Sequence, residues 1–220
     1  MRRTVMENHL YAFFSSGTSY RLRLALNLKG LDYTYHPVNL RAGEHRSEAY
    51  RRVNPQGLVP AFQVGDGPVI AQSSAIIEFL EEQWPEPALF PSDAQERARA
   101  RAMAAMIACD IHPLNSLRVM STLRNTFGAD EDAIKEWART WIGAGFDALE
   151  ALLPEDAGKG RFAFGASPGV VEVYLIPQVA GARRYGVDMG AYPKINALDL
   201  ACNALPAFQT AHPDTEPVTK

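Results

Sequence analysis

A small mixed α/β domain followed by an all-helical domain is the fold that this 220-residue chain predicts. Over residues 9–84, short apolar runs alternate with helix-period stretches, the order expected of strands covered by helices. Pro85, Pro87 and Pro91, with Ser92-Asp93, then break the periodicity and mark residues 85–93 as a linker. Across residues 94–212 the apolar patterns repeat at helical spacing. Hydrophobic residues make up 47% of the chain and charged ones 21%, which supplies a core for each domain.

Residues 9–14 read as the first strand and residues 20–29 as the first helix, closed by Gly30 just past its last turn. Leu22, Ala25 and Leu26 form one apolar stripe and Leu24 with Leu28 another, so this helix is expected to be covered on most sides. Residues 33–40 alternate as a second strand, and the polar stretch 41–53 reads as a loop or short helix. Residues 58–64 are strand-like, but Pro60 assigns them to a sheet edge or a special geometry. Asp66-Gly67 signals a hairpin into residues 69–71. Ser73 or Ser74 is then expected to cap a helix that turns Ile76, Ile77, Phe79 and Leu80 inward. Helices are expected over residues 95–108, 130–153, 170–185 and 192–205, with residues 213–220 as a loose tail.

The net charge of −3 and the absence of a long basic run argue against a nucleic-acid partner. No apolar stretch is long enough to cross a bilayer, and no secretory leader is legible, so no membrane partner is expected. Cys109 and Cys202 lie far apart in apolar helical patterns, which reads as two buried thiols in a cytoplasmic protein, with no metal site. Any thiol chemistry here therefore draws its sulfur from elsewhere.

The candidate site begins at Ser15-Ser16-Gly17-Thr18-Ser19, where a strand feeds a helix through a hydroxyl-rich loop. Hydroxyls and unpaired N–H groups at the positive end of a helix suit an anion or an ionised thiol. As a bare residue pattern, Ser16 reads first as a helix cap.

The run Ser16-Gly17-Thr18-Ser19-Tyr20-Arg21-Leu22-Arg23 resembles the signature of the zeta-class glutathione transferases. Asn54-Pro55-Gln56-Gly57-Leu58-Val59-Pro60, Gln72-Ser73-Ser74, Cys109-Asp110-Ile111-His112-Pro113 and the stretch 177–185 match the same class in the same order. That resemblance spans nearly the whole chain. It implies a thioredoxin-like glutathione-binding domain, a helical substrate domain, a homodimer, and glutathione as cofactor. Ser16 would hold the glutathione thiolate, assisted by Thr18 and by backbone N–H groups that include Gly17. A cis bond at Val59–Pro60 would offer Val59 to the cysteinyl part, and Gln72 with Ser73 would hold the γ-glutamyl carboxylate. His45, Gln56 and His112 are placed near the glycyl end.

The activity implied is cis–trans isomerisation of a small dicarboxylate keto acid, maleylpyruvate or maleylacetoacetate. Arg184, with Arg118 as a second, would clamp the substrate carboxylates with a planar fork. As a residue pattern, Arg183-Arg184 is also an ordinary basic helix end. Conjugation or dehalogenation of an electrophile, and a non-enzymatic binding module, are the alternatives. The chain departs from the pattern at Ser15, where bacterial members tend to carry arginine. It departs again at Gly169, where a side-chain helix cap is usual and its loss costs about 1 kcal/mol.

Overall fold

The computed structural model describes residues 7–215. The chain divides into two compact units, one built up to Leu89 and again from Pro206, the other from Phe90 to Leu205.

In the first unit β1 (Asn8–Ala12) leads into α1 (Gly17–Leu28) and then β2 (Thr34–Pro37), which pairs with β1 in parallel. A short helix, α2 (Glu48–Val53), capped by Ser47, precedes the hairpin of β3 (Ala61–Val64) and β4 (Ile70–Ala71). β3 runs antiparallel to β1, giving the sheet order β2-β1-β3-β4. The strand that follows Pro60 is thus interior, so of the two readings of Pro60 the special geometry, a cis bond, holds and the edge does not. Pro60 sits one residue before β3, so its missing N–H is not asked of the ladder. α3 (Ser73–Gln83) follows β4 and buries Ile76, Ile77 and Leu80.

α1 is covered more completely than one stripe requires: Ser19 to Leu26 are all buried, including Arg21 and Arg23. Part of that cover comes from the far end of the chain, α9 (Pro206–Ala211). Arg23 Nε donates to the Ala211 carbonyl at 2.9 Å and Asn27 Nδ2 to the Ala207 carbonyl at 3.0 Å. The sequence pattern extends the helical domain to residue 212, whereas this last helix groups with the first unit. Buried donors on α1 need acceptors, and α9 carries them. Pro213–Thr215 forms a tight turn, and residues 216–220 of the expected loose tail lie outside the described residues.

Lys29, at the end of α1, has a wholly buried side chain. Its ammonium donates to the carbonyls of Trp84 (2.6 Å) and Pro87 (3.0 Å) and pairs with Glu81 at 2.7 Å.

The second unit contains α4 (Ala94–Ala105), α5 (Leu117–Phe127), α6 (Glu131–Leu152), α7 (Val170–Tyr185) and α8 (Pro193–Asn203). Asp93 and Asp130 cap α4 and α6 through their carboxylates. α4 gives way at Met106–Ile111 to a wider π-turn, which keeps Ile107 and Ile111 buried and rotates Cys109 outward. The expected burial of Cys109 is therefore corrected, because the π-turn resets the helix face. Gly145 on α6 receives Ile111: a Cβ there would lie 2.2 Å from the isoleucine Cδ1. Cys202 is buried, and burial raises its thiol pKa, so it stays neutral. At the start of α7, Glu172 reaches back to the Gly169 N–H (2.8 Å) and the Ala163 N–H (2.7 Å). Half of the capping exchange thus survives the glycine. Among the described residues no helix is long and apolar enough to cross a membrane.

Candidate active site

Ser16 is the cap of α1: its Oγ accepts the Ser19 N–H at 3.3 Å and lies 2.9 Å from Thr18 Oγ1. Thr18 in turn donates to the Val59 carbonyl at 3.0 Å. A hydroxyl has one proton, so with Thr18's committed to Val59, Ser16 is the donor in the serine–threonine pair. The relay runs from Ser16 through Thr18 to Val59. Cap and ligand readings of Ser16 are therefore compatible, since the oxygen accepts from the helix while its hydrogen bond can turn from Thr18 to an incoming anion without releasing Val59. Thr18, expected beside the sulfur as a donor, instead uses its proton to hold the Val59 loop.

The Val59–Pro60 bond is cis. The loop before it is fixed by two residues that the sequence reading missed. Tyr50 Oη and Asn54 Nδ2 both donate to the Leu58 carbonyl, each at 2.7 Å. Burial pushes the Tyr50 phenol up to about 12, so it stays a donor at neutral pH. Among the described residues the Val59 N–H donates to nothing, while its carbonyl keeps one lone pair beyond the Thr18 bond.

Gly57, at φ 63°, lets the His45 segment close against this loop, for a Cβ there would lie 2.9 Å from the His45 carbonyl. His45 Nδ1 is buried without a hydrogen-bond partner. Burial, then the nearby Arg46 and Arg51, lower its pKa below the ordinary histidine value, which keeps the ring neutral at pH 7.

Gln72, not Ser73 or Ser74, is the cap position of α3, and it makes no side-chain cap bond. Its φ of 72° is the one positive value at a non-glycine among the described residues, a conformation costing about 1–3 kcal/mol. Gln72 Nε2 donates to Gln56 Oε1 at 2.7 Å, tying the start of α3 to the loop before Pro60. Ser73 is buried as the first residue of α3. Ser16, Thr18 and Val59 are thus joined by one bond chain, and Gln56 with Gln72 by another.

His112, Arg118 and Arg184 belong to the second unit. His112 opens a short turn, His112–Asn115, and is half-buried. Arg118, near the start of α5, is exposed and lines an apolar recess with Val119, Leu123, Phe127 and Trp137. The basic pair at the end of α7 divides in role. Arg183 pairs with the buried Asp199 at 2.6 Å, whereas Arg184 is exposed and makes no hydrogen bond or ion pair among the described residues.

A small mixed sheet with hydroxyls at the start of its first helix, a cis-proline loop beside them and a separate helical unit is the arrangement of a cytosolic glutathione transferase. Residues 15–83 match the family model for the glutathione S-transferase N-terminal domain. The chain is 55% identical over 208 residues to the maleylpyruvate isomerase of a Ralstonia species, covering 94% of this chain and 98% of that one. It is similar to a holo structure of maleylpyruvate isomerase, a bacterial zeta-class enzyme, with TM-score 0.92 and 53% identity, over 96% and 100% of the two chains. It is also similar to maleylacetoacetate isomerase of Anaeromyxobacter dehalogenans, with TM-score 0.85 and 37% identity, over 100% and 97% of the two chains. That structure holds dicarboxyethyl glutathione and citrate in its active site. The chain belongs to the zeta class of the glutathione transferases, the family of the maleylpyruvate and maleylacetoacetate isomerases.

Proposed function

We propose that this protein is a glutathione-dependent isomerase that converts a cis maleyl keto acid to its trans isomer, with maleylpyruvate as the first substrate to test and maleylacetoacetate as the second. The observation that carries the reading is near-full-length identity of 55% to a maleylpyruvate isomerase, in a chain that keeps the Ser16 hydroxyl relay. A homodimer in the cytoplasm is part of the same reading, supported by the class resemblance.

The residues present fit glutathione. A hydroxyl proton at a helix start, a free Val59 N–H, a buried unpartnered imidazole nitrogen and a glutamine–serine helix start offer one partner for each part of a thiol tripeptide with two carboxylates. When bound, glutathione supplies a thiolate that adds to the alkene carbon and leaves after the bond has rotated. Ser16 would donate a hydrogen bond to that sulfur, and the positive end of α1 would favour the ionised form. Thr18 steadies the Val59 loop, whose N–H and C=O receive the cysteinyl segment. Gln72 and Ser73 take the γ-glutamyl carboxylate, while Gln56 and His45, with His112, serve the glycyl end. Arg184 and Arg118 take the substrate carboxylates, with cations where negative charge develops in the reaction.

The test is to follow maleylpyruvate absorbance with the purified chain, with and without glutathione, and to identify the product. Glutathione-dependent appearance of fumarylpyruvate is expected, with Arg184→Ala collapsing turnover. Accumulation of a conjugate without trans product, or binding without turnover, overturns the reading.

His45 gives a pH-dependent signature. Its pKa is depressed in the free protein, and a carboxylate beside it would raise that pKa, so binding takes up a proton. Affinity should therefore rise as pH falls. S-methylglutathione, which has no thiol proton to confuse the titration, should bind several-fold more tightly at about pH 5.5 than at about pH 7.5. Calorimetry checks this. A flat profile, or one unchanged in His45→Gln, removes His45 from the glycyl end.

A further inference from the structure

We propose that Arg41, held over Phe13 and Phe14 in the loop that leads into the Ser16 relay, is a specificity-determining clamp for a carboxylate of the substrate. The inference rests on the isomerase reading for the substrate's chemistry and on the first unit alone for its geometry.

Arg41 opens the turn after β2, and that turn is built rather than slack. The Asn39 side-chain oxygen accepts the N–H groups of Arg41 (3.0 Å) and Ala42 (3.1 Å). Glu44 accepts the Asn39 N–H at 2.7 Å. From this turn the guanidinium reaches across to β1's end, where its central carbon lies 5.6 Å from the Phe14 ring centroid and 6.0 Å from that of Phe13. The two rings form a corner, 4.6 Å between centroids and tilted by 58°. That corner is tied to the start of α1. The Ser16 N–H donates to the Phe13 carbonyl at 3.0 Å, and Arg23 Nη2 donates to the Phe14 carbonyl at 3.0 Å.

The aromatic faces attract the cation without neutralising it. No acidic side chain of the described residues pairs with Arg41, and Glu44 faces the Asn39 backbone instead. Arg21 and Arg23, the cations of α1 itself, are buried, whereas Arg41 is exposed. Along the chain, Phe14 and Thr18 flank Ser16 on opposite sides. The Thr18 flank leads to Val59, where the tripeptide backbone is received. The Phe14 flank leads to Arg41. A preoriented guanidinium there, with no acidic partner among the described residues, matches a planar carboxylate on the molecule that meets the sulfur.

The experiment titrates succinate, a four-carbon dicarboxylate without an alkene, into the full chain saturated with S-methylglutathione. Alongside it, KM and kcat for maleylpyruvate are measured in Arg41→Gln and Arg41→Lys. Expected in Arg41→Gln are at least about fivefold weaker succinate binding and a matching rise in KM. Glutathione affinity should stay within about twofold and Arg41→Lys should recover part of the loss. Equal succinate affinity in wild type and Arg41→Gln, or no succinate binding to either, overturns the proposal. So does a loss confined to glutathione affinity, which would make Arg41 a cofactor residue. Failure of the wild type to isomerise maleylpyruvate would strike the isomerase reading instead, because the succinate titration needs no turnover.

Discussion

Replacing Ser16 with alanine should lower kcat for the isomerisation by about 10²–10³-fold, the usual effect of deleting one donor to a developing or resident negative charge. The reason lies in proton bookkeeping at the relay. Thr18 has committed its only proton to Val59, so it cannot substitute as donor to the sulfur without releasing the loop. Ser16 is therefore the hydroxyl of the pair that can redirect its proton, from Thr18 to the sulfur, without loosening that loop. Without it the bound thiol should titrate closer to its free value of about 8.5, and the pH–rate profile should move to higher pH. Lost capping of α1 should cost about 1 kcal/mol of stability, too little to unfold the chain. Steady-state kinetics across pH, with S-methylglutathione affinity as control, provide the check. Ser16→Thr should retain most of the rate. A Ser16→Ala protein with wild-type kcat would transfer the role to the backbone N–H groups of α1.

Lys29→Met should be the most destabilising single change discussed, by about 3–5 kcal/mol. A wholly buried ammonium with three protons meets three acceptors: the Trp84 and Pro87 carbonyls and the Glu81 carboxylate. That carboxylate also accepts the Leu89 N–H at 3.1 Å. One cation thereby fastens the end of α1, the last turn of α3 and the start of the proline-rich segment. Methionine fills the stem's volume but removes the donor to the Trp84 and Pro87 carbonyls and the cation beside the partly buried Glu81 carboxylate. Lys29→Arg should rescue little, because a planar fork does not reproduce three convergent bonds from one nitrogen. Urea unfolding of both variants measures the effect, and a midpoint shift worth less than about 1 kcal/mol would show that water replaces the ammonium.

What the sequence revealed depended on how local the physics was. The Ser16 cap is local: a hydroxyl three residues before the N–H it accepts can be read from spacing alone. The same holds for α7, expected over residues 170–185 and found at Val170–Tyr185, where apolar periodicity and Gly186 define both ends. Pro60 left two readings open, an edge or a special geometry, and only the pairing decides between them: the strand is interior, starts one residue later, and the special geometry is the cis bond before it. Gln72 was invisible for another reason. Nothing in a glutamine advertises a positive φ, and its bond to Gln56 crosses sixteen positions. Arg41 and Lys29 were hidden in the same way, since their partners on β1's end and on the linker are brought near only by the fold. Cys109 failed through a change of helical pitch that leaves no composition signal.

The return of α9 to the first unit bears on how the molecule is made. Arg23 and Asn27 leave the ribosome well before the carbonyls that receive them, which lie 188 and 180 positions later at Ala211 and Ala207. The first unit therefore finishes closing only after α9 has been synthesised, with the whole second unit made in between.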